Sequence, residues 1–428
     1  MEQAYQQVKA KCNNSVYTPL VVMWLLMQQR LQGAAPLEAV VLDLLENLPS
    51  CFWPNPCKRV RDWQQAGKPV SGNTAAYNQA RQKLPLPVVE QSCDRIFEQL
   101  TARLAPDLAP GSRRTFILDG TSMRLSYSPA LAKCFPPTSN QHGEAHWPMI
   151  RVLVAHDLHT CLAMRPEWGP MYGPETVSEQ QLLERALDRL PVDSAIFGDI
   201  NFGVFSVAWT STQKGHPVLL RLQLHRAKRL SNEELKDGID RQIVWVPSLH
   251  DRKRHPDLPP EACVRGRLIV RQVQPDNGGE AILLALFTTL SDEAAEILKL
   301  YGQRWNIETD LRTLKSQLQM EQLGSATEEM VAKEIEMAVA AYNLVRAVIS
   351  IAAQQSGLPP RRYGFARAAR IVASFGPKIA SASNESEAQR HFDRMMYFLQ
   401  QAKLPQRKRK PFPRSVWGKG EQYPKRKK

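Results

Sequence analysis

The chain has 428 residues, 43% of them hydrophobic and 23% charged, which is globular composition and excludes a disordered or collagen-like chain. That length allows roughly two to four domains with real hydrophobic cores, so no disulfide or metal staple is required. Lys and Arg outnumber Asp and Glu by 56 to 42, a net charge of +14, and a surplus of that size points to a polyanionic partner, nucleic acid or an anionic membrane surface.

The charge is concentrated at one end. Residues 401–428 hold eleven Lys and Arg against the single acid Glu421, so ten of the fourteen excess charges lie there and the body is only mildly basic. The seven cysteines are an odd number, scattered from Cys12 to Cys263 without a CxxC, which argues against a disulfide framework and for a reducing cytosol. No apolar run reaches the roughly 18 residues of a bilayer span. Residues 20–27, preceded by Lys9 and Lys11, faintly resemble a signal peptide. Thr18-Pro19 reads better as N-cap and first residue of a helix that Gly33 closes.

In chain order, residues 1–108 read as all-helical. Apolar residues recur at helical spacing in 20–31 and 37–48; Pro54, Pro56 and the basic 58–61 stretch read as a loop; Asn73 can cap a further helix; and Val88, Val89, Ile96, Leu100 and Leu104 form one stripe. Pro106, Pro110 and Gly111 mark a boundary. Residues 115–118 then read as a strand ended by Asp119-Gly120, and 151–154 with 161–164 as a strand pair around a polar turn. Ser178 and Gln181 form a capping box opening a helix over 179–190, and 194–198 is another short strand, ended by Asp199. Residues 204–290 read as β-rich with little helix signal, and helices return over 292–300, 301–319 and about 328–354. Alternating strands and helices predict α/β architecture.

The chemistry concentrates in Tyr301-Gly302-Gln303-Arg304-Trp305-Asn306-Ile307-Glu308 and on to Lys315. On one helix, Tyr301, Arg304, Glu308 and Lys315 would share a face, while Trp305, Ile307, Leu311, Leu314 and Leu318 would pack against the core. A solvated charged face would read the same way. Asp119 and Asp199 weigh against that reading, because each sits where a buried strand leaves the sheet, the place at which open α/β sheets build their sites. Two such aspartates with a helical glutamate make an oxygen cage suited to Mg²⁺ or Mn²⁺, and two ions so held promote in-line phosphoryl displacement. Arg304 and Lys315 suit a phosphodiester backbone.

The spacing Tyr301-x2-Arg304-x3-Glu308-x6-Lys315 matches the Tyr-Arg-Glu-Lys signature of the IS-four family of insertion-sequence transposases. Leu118-Asp119-Gly120-Thr121, the 182–187 run before the strand to Asp199, the Thr18-Pro19-Leu20 helix and the basic tail resemble that family too. The resemblance implies a DDE recombinase with a ribonuclease H-like core interrupted by a β-rich insertion. The divisions are a helical DNA-binding domain over 1–108, core over 109–203 and 291–355, insertion over 204–290, and a helical C-terminal region with basic tail over 356–428. It implies that Asp119, Asp199 and Glu308 bind two Mg²⁺ ions, with Mn²⁺ as substitute, and that Tyr301, Arg304 and Lys315 contact transposon-end phosphates. Trp305, inside the same motif, joins the DNA-contact candidates.

The implied reaction is nicking at the element end, hairpin formation and opening, and strand transfer. The implied partners are double-stranded DNA, both terminal inverted repeats and target, and a second copy of the chain, in a bacterial cytoplasm at the nucleoid and with no membrane. After the second aspartate many members carry an arginine; here the run is Asp199-Ile200-Asn201-Phe202, which keeps the acid and not that substrate contact. Trp209 and Trp245 are candidates for holding an unstacked base, against a simpler role in core packing. His142, His146, His156 and His159 lack the second ligand pair of a zinc finger, and no Walker-type phosphate loop occurs. The competing functions are a nuclease of the same fold that cuts without joining, and a DNA-binding regulator without catalysis.

Overall fold

The structure, a computed structural model, describes residues 15–47, 50–68, 70–104, 113–140, 143–274 and 280–405. The expected segments 1–14 and 406–428, the latter with most of the basic tail, lie outside the described residues, as do the side chains of 305–308. Five N-terminal helices, α1 (Pro19–Leu31), α2 (Leu37–Asn47), α3 (Lys58–Ala66), α4 (Thr74–Lys83) and α5 (Leu86–Leu104), precede β1 (Thr115–Leu125) and α6 (Pro129–Cys134). A small hairpin, β2 (Ser139–Asn140) and β3 (Gly143–Glu144), leads to β4 (Met149–Asp157), β5 (Glu167–Pro170), α7 (Glu179–Leu187), β6 (Ala195–Gly198), α8 (Phe205–Gln213) and β7 (Val218–Arg221). Then follow α9 (Leu224–Ser231), β8 (Asp240–Trp245), α10 (Leu249–Arg254), β9 (Val264–Val273) and β10 (Ile282–Thr288). The last elements are α11 (Ala294–Gly302), α12 (Trp305–Arg312), a π turn (Thr313–Gln317), β11 (Gln322–Leu323), α13 (Glu328–Ser356), α14 (Phe365–Ala380) and α15 (Glu385–Gln400).

Local signals set several boundaries. The Thr18 hydroxyl accepts from the Val21 N–H with Pro19 at the first turn, Asn73 caps α4, and the Ser178–Gln181 capping box is closed in both directions. The main sheet has nine strands, ordered β5-β4-β1-β6-β7-β10-β9-β8, with β11 added beside β1. β4 runs antiparallel to β1 and β5, whereas β1, β6 and β7 are mutually parallel neighbours. The fold is therefore α/β with a mixed sheet. Residues 161–164 do not form the expected partner strand: Ala163 makes only an isolated bridge to His156, and β5 takes the place beside β4. Residues 204–290 hold three helices as well as strands, because the apolar faces of α8 and α9 bury on the sheet at spacings that short strand-like runs also satisfy.

Alternate residues of β1 face two different cores. Ile117, with Val152 and Val154 of β4, packs toward Tyr301, Leu311, Leu314 and Tyr342; Phe116 and Leu118, with Leu153 and Ala155, pack toward Leu182, Leu183 and Ala186 of α7. A third cluster joins α1–α5 and takes in Met337 and Ala340 of α13. α13 is long and apolar enough to cross a membrane by length and composition, yet 89% of its most apolar stretch is buried inside the protein. It is the central core helix. Lys333, fully buried, donates to the Arg81 and Gln82 carbonyls at 3.1 and 3.0 Å, closing the C-terminal end of α4, and Arg30 of α1 pairs with Glu334 at 2.8 Å.

Next to the sheet, α13 carries a second buried polar cluster. Asp310 of α12, 1% exposed, accepts from Arg346 at 2.6 Å and from Arg361 at 2.8 and 3.1 Å, and Arg346 also donates to the Tyr342 hydroxyl at 2.9 Å. His156 of β4 lies edge-on to Tyr342 in the same cluster; burial holds its imidazole down to about 4, with Asp310 opposing and Arg346 and Arg361 reinforcing. Its ordinary value is about 6.5. As the pH falls from there toward 4, the unfolded chain gains a proton that the folded chain refuses, so stability is lost across that window by up to about 1.4 kcal/mol per pH unit. Urea-unfolding midpoints of the wild type should drop between pH 7 and pH 5 more steeply than those of His156→Phe; parallel slopes in the two proteins would refute this.

Candidate active site

The parallel register of β1 and β6 pairs Thr115 with Ala195, Phe116 with Ile196 and Ile117 with Phe197. Asp119 and Asp199 each stand two residues beyond the last pair; Asp199 follows the end of β6, whereas the expected strand end at Asp119 is corrected, since β1 runs on to Leu125 beside β4. The Asp119 carboxylate accepts from the Gly120 N–H within β1, and that of Asp199 from the Asn201 N–H, both at 2.8 Å, so Asp199 braces the turn it begins. Gly198 is required just before the second acid. A Cβ there would lie 2.6 Å from the Phe202 Cβ and 3.0 Å from a Leu220 methyl, and Phe202 is fully buried.

The Tyr-Arg-Glu-Lys segment is not one continuous α-helix. α11 ends at Gly302, Gln303 and Arg304 form a turn, α12 restarts at Trp305, and Lys315 sits in the π turn. The expectation of one helix over 301–319 is therefore corrected to two helices and a π turn. Tyr301 (6% exposed) and Arg304 (9% exposed) are nonetheless buried together at the acids. Arg304 acts electrostatically on both Asp119 and Tyr301, and burial pushes the Tyr301 phenol up to about 12 against the pull of Arg304 and Arg221. Lys315 is half-buried, and Glu308 lies on α12 with its side chain outside the described atoms, as does that of Trp305. Asp310 is committed to Arg346 and Arg361 on the core side, and Asp193 pairs with Arg113 at the surface. Neither can stand in for Glu308 or Asp199.

Two residues at the site carry no distinctive signal in the sequence. Glu179, first residue of α7, lies against Gly120: a Cβ on Gly120 would be 2.3 Å from its carboxylate oxygen. Arg221, last residue of β7, reaches Tyr301 electrostatically. Burial first, and then the charges of Asp199 and Glu179, raise Asp119 to about 7 against the Gly120 hydrogen bond and Arg304. Glu179 is raised as well, by burial first and by Asp199. Carboxyls crowded in this way gain most from a cation between them, and their hard oxygen donors fit Mg²⁺ or Mn²⁺. Among the described residues no three Asp, Glu, His or Cys groups converge on one point, so a full ligand set would draw on Glu308.

The remaining sequence candidates are structural. Trp245 is 3% exposed and packs edge-on against Phe205 and Phe287, while half-buried Trp209 stacks on Phe205. His156 belongs to the buried Asp310 cluster, and the six described cysteines are free. Cavities of about 820 and 620 Å³ lie elsewhere, the first within the N-terminal helices and the second between α1, α2 and α14.

Residues 110–344 match the transposase DDE domain family, more than half of the chain, and the protein belongs to that family. It is a transposase, an enzyme that cuts and joins DNA. It is 24% identical to the transposase InsG for insertion sequence element IS4 of Escherichia coli (strain K12) over 359 residues, covering 82% of this chain and 78% of that one.

Gly198→Ala should cost about 1–3 kcal/mol through overpacking against Phe202. The same strain should displace Asp199, so thermal unfolding and DNA cleavage should both fall; a variant of wild-type stability would show that the Phe202 side yields freely.

Proposed function

We propose that this transposase cuts and joins the ends of an insertion sequence with Asp119, Asp199 and Glu308 as its catalytic acids and Mg²⁺ as the resident cofactor, two ions per site. The observation that carries this reading is the meeting of two aspartates, each two residues past the last pair of neighbouring parallel strands, beside the buried Tyr301–Arg304 pair. The order β5-β4-β1-β6-β7, with an antiparallel first half and a parallel second, supports a ribonuclease H-like core. On this reading the insertion starts after Arg221, since β7 pairs in parallel with β6 and belongs to the core.

Bound divalent ions would supply a more acidic attacking water or hydroxyl and charge neutralisation at the leaving oxygen. Asp119 and Asp199 hold the site from the sheet, and Glu308 closes it from α12. Arg304 and Tyr301 fix a phosphate of the transposon end, the guanidinium by paired N–H donors and the phenol by one O–H, while Lys315 adds a point charge further along the strand. Phosphodiester hydrolysis frees a 3′-hydroxyl, and that hydroxyl then displaces a strand oxygen in the target. The IS4 transposase relative supports an insertion-sequence end as substrate, and on the same proposal one copy of the chain sits at each of two ends, with a hairpin step between cleavage and transfer.

Asp119→Ala, Asp199→Ala and Glu308→Ala should each lower end cleavage and joining by more than about a hundredfold. Folding and end binding should persist, read by circular dichroism and by a shift assay on duplexes carrying the terminal repeats. Near wild-type cleavage by any one of them removes that residue from the site. Removal of residues 406–428, with Arg407, Lys408, Arg409 and Lys410 in its first part, should weaken binding to all DNA sequences alike. The slope of log K against log salt should become shallower by about 0.9 for each phosphate that the tail neutralises, and an unchanged slope would exclude the tail from binding.

A further inference from the structure

The acids stand at a sheet edge with cations on both faces. On the face of α11 and α12 lie Tyr301 and Arg304, already assigned to the transposon end, with Arg221 acting on Tyr301. On the opposite face, that of α7, a cavity of about 420 Å³ opens beside Asp199, lined by Arg151, Glu179, Asn201, Gln223, Arg226 and Arg254 among others. Side-chain alternation along β4 places Arg151 on this face with Leu153, and its Nη1 donates to the Val177 carbonyl at 2.9 Å. Arg226 of α9 donates to the Gly203 carbonyl. Arg254, in the last turn of α10, is exposed and carries no ion pair among the described residues. Three guanidinium groups therefore line the cleft against two carboxylates, Glu179 in its wall and Asp251 acting on Arg226 from α10, which leaves it net cationic with planar N–H forks and amide donors.

We propose that this cleft holds the target strand during joining, a second duplex whose phosphates are gripped by Arg151, Arg226 and Arg254. The proposal rests on the reading of Asp119, Asp199 and Glu308 as the catalytic acids. Joining needs two DNA segments on either side of one set of acids: the cleaved end, with its 3′-hydroxyl, and an intact phosphodiester. A new O–P bond forms between that hydroxyl oxygen and the target phosphorus, and the target's own P–O3′ bond breaks. The hydroxyl proton passes to solvent and the departing 3′-oxygen takes one up, so no oxidant or co-reactant is needed. Hydrolysis of the end uses water instead and needs only the α12 face. The cleft faces the same acids from the other side of the sheet, and Arg226 and Arg254 come from the segment that follows β7. Guanidinium forks bind phosphate without reading base edges, which suits a target of variable sequence.

The test uses the full chain carrying Arg226→Gln and Arg254→Gln together, with Arg254→Gln alone as the variant whose exposed side chain cannot disturb packing. End cleavage is followed on terminal-repeat duplexes, and joining on precleaved ends with supercoiled plasmid as target. The ratio of joining to cleavage should fall about tenfold in the double variant and by a smaller factor in the single one, and should recover as plasmid concentration rises. An unchanged ratio overturns the proposal, whether both rates fall together, as for a cleft that grips the transposon end, or neither moves, as for solvated cations. Asp119→Ala is run alongside: if it still cleaves, the assignment of the acids has failed, and that result is separate from the behaviour of the ratio.

Discussion

The site depends on one pairing, the short parallel register of β1 with β6. Only three residue pairs form it, from Thr115–Ala195 to Ile117–Phe197, and the strands then separate. A shift of one residue would send every side chain of β6 to the other face of the sheet and carry Asp199 away from Asp119. The register is held because both faces are apolar and closely filled: Phe116, Ile117, Ile196 and Phe197 are at most 2% exposed. Gly198 lets Phe202 fold back onto the strand end at once, so the turn bearing Asp199 is braced by packing as well as by its own hydrogen bond to Asn201.

The second constraint is α13, which the other layers share. It buries apolar residues against the sheet, against the N-terminal helices and against the C-terminal pair. Its buried charges are paired at each contact: Lys333 and Glu334 toward α4 and α1, Arg346 toward α12. Such pairs add little net stability over apolar packing, because desolvation offsets most of the attraction, but breaking one costs about 3–5 kcal/mol. Their effect is on placement. Asp310, two residues after Glu308, is locked between Arg346 and Arg361, so the segment that bears the third acid is tied to the most buried helix of the protein.

Charge at the site is arranged in opposition. Burial and, after it, repulsion from Asp199 and Glu179 raise Asp119 to about 7, while Arg304 stands beside them. A polyanion and its counter-cations relieve both strains together, since the cations satisfy the carboxylates and the phosphates satisfy the arginines. Cations flank the acids on both faces, one group from the residues before α12 and one from Arg151 and the α9–α10 region.

Much of this is legible in residues 115–315 as a sequence. An aspartate closing an apolar β run, a capping serine and a spacing of Tyr, Arg, Glu and Lys are local or linear features, and their signals survive without knowledge of any contact, although β1 itself runs past Asp119 to Leu125. Thr18, Asn73 and Ser178 cap where expected for the same reason: a cap is decided by hydrogen bonds within four residues. What the tertiary structure decided involves distant partners. The break at Gln303–Arg304 and the π turn at Lys315 are not written in the apolar periodicity, which runs on through 301–319 as one helix. Residues 161–164 look like a strand but lose the edge of β4 to β5. Glu179 reads as an ordinary first-turn acid, favoured there by the helix dipole. It becomes part of the site because Gly120, some sixty residues earlier in the chain, has no side chain to keep it away, and that approach exists only once β1 and α7 have packed.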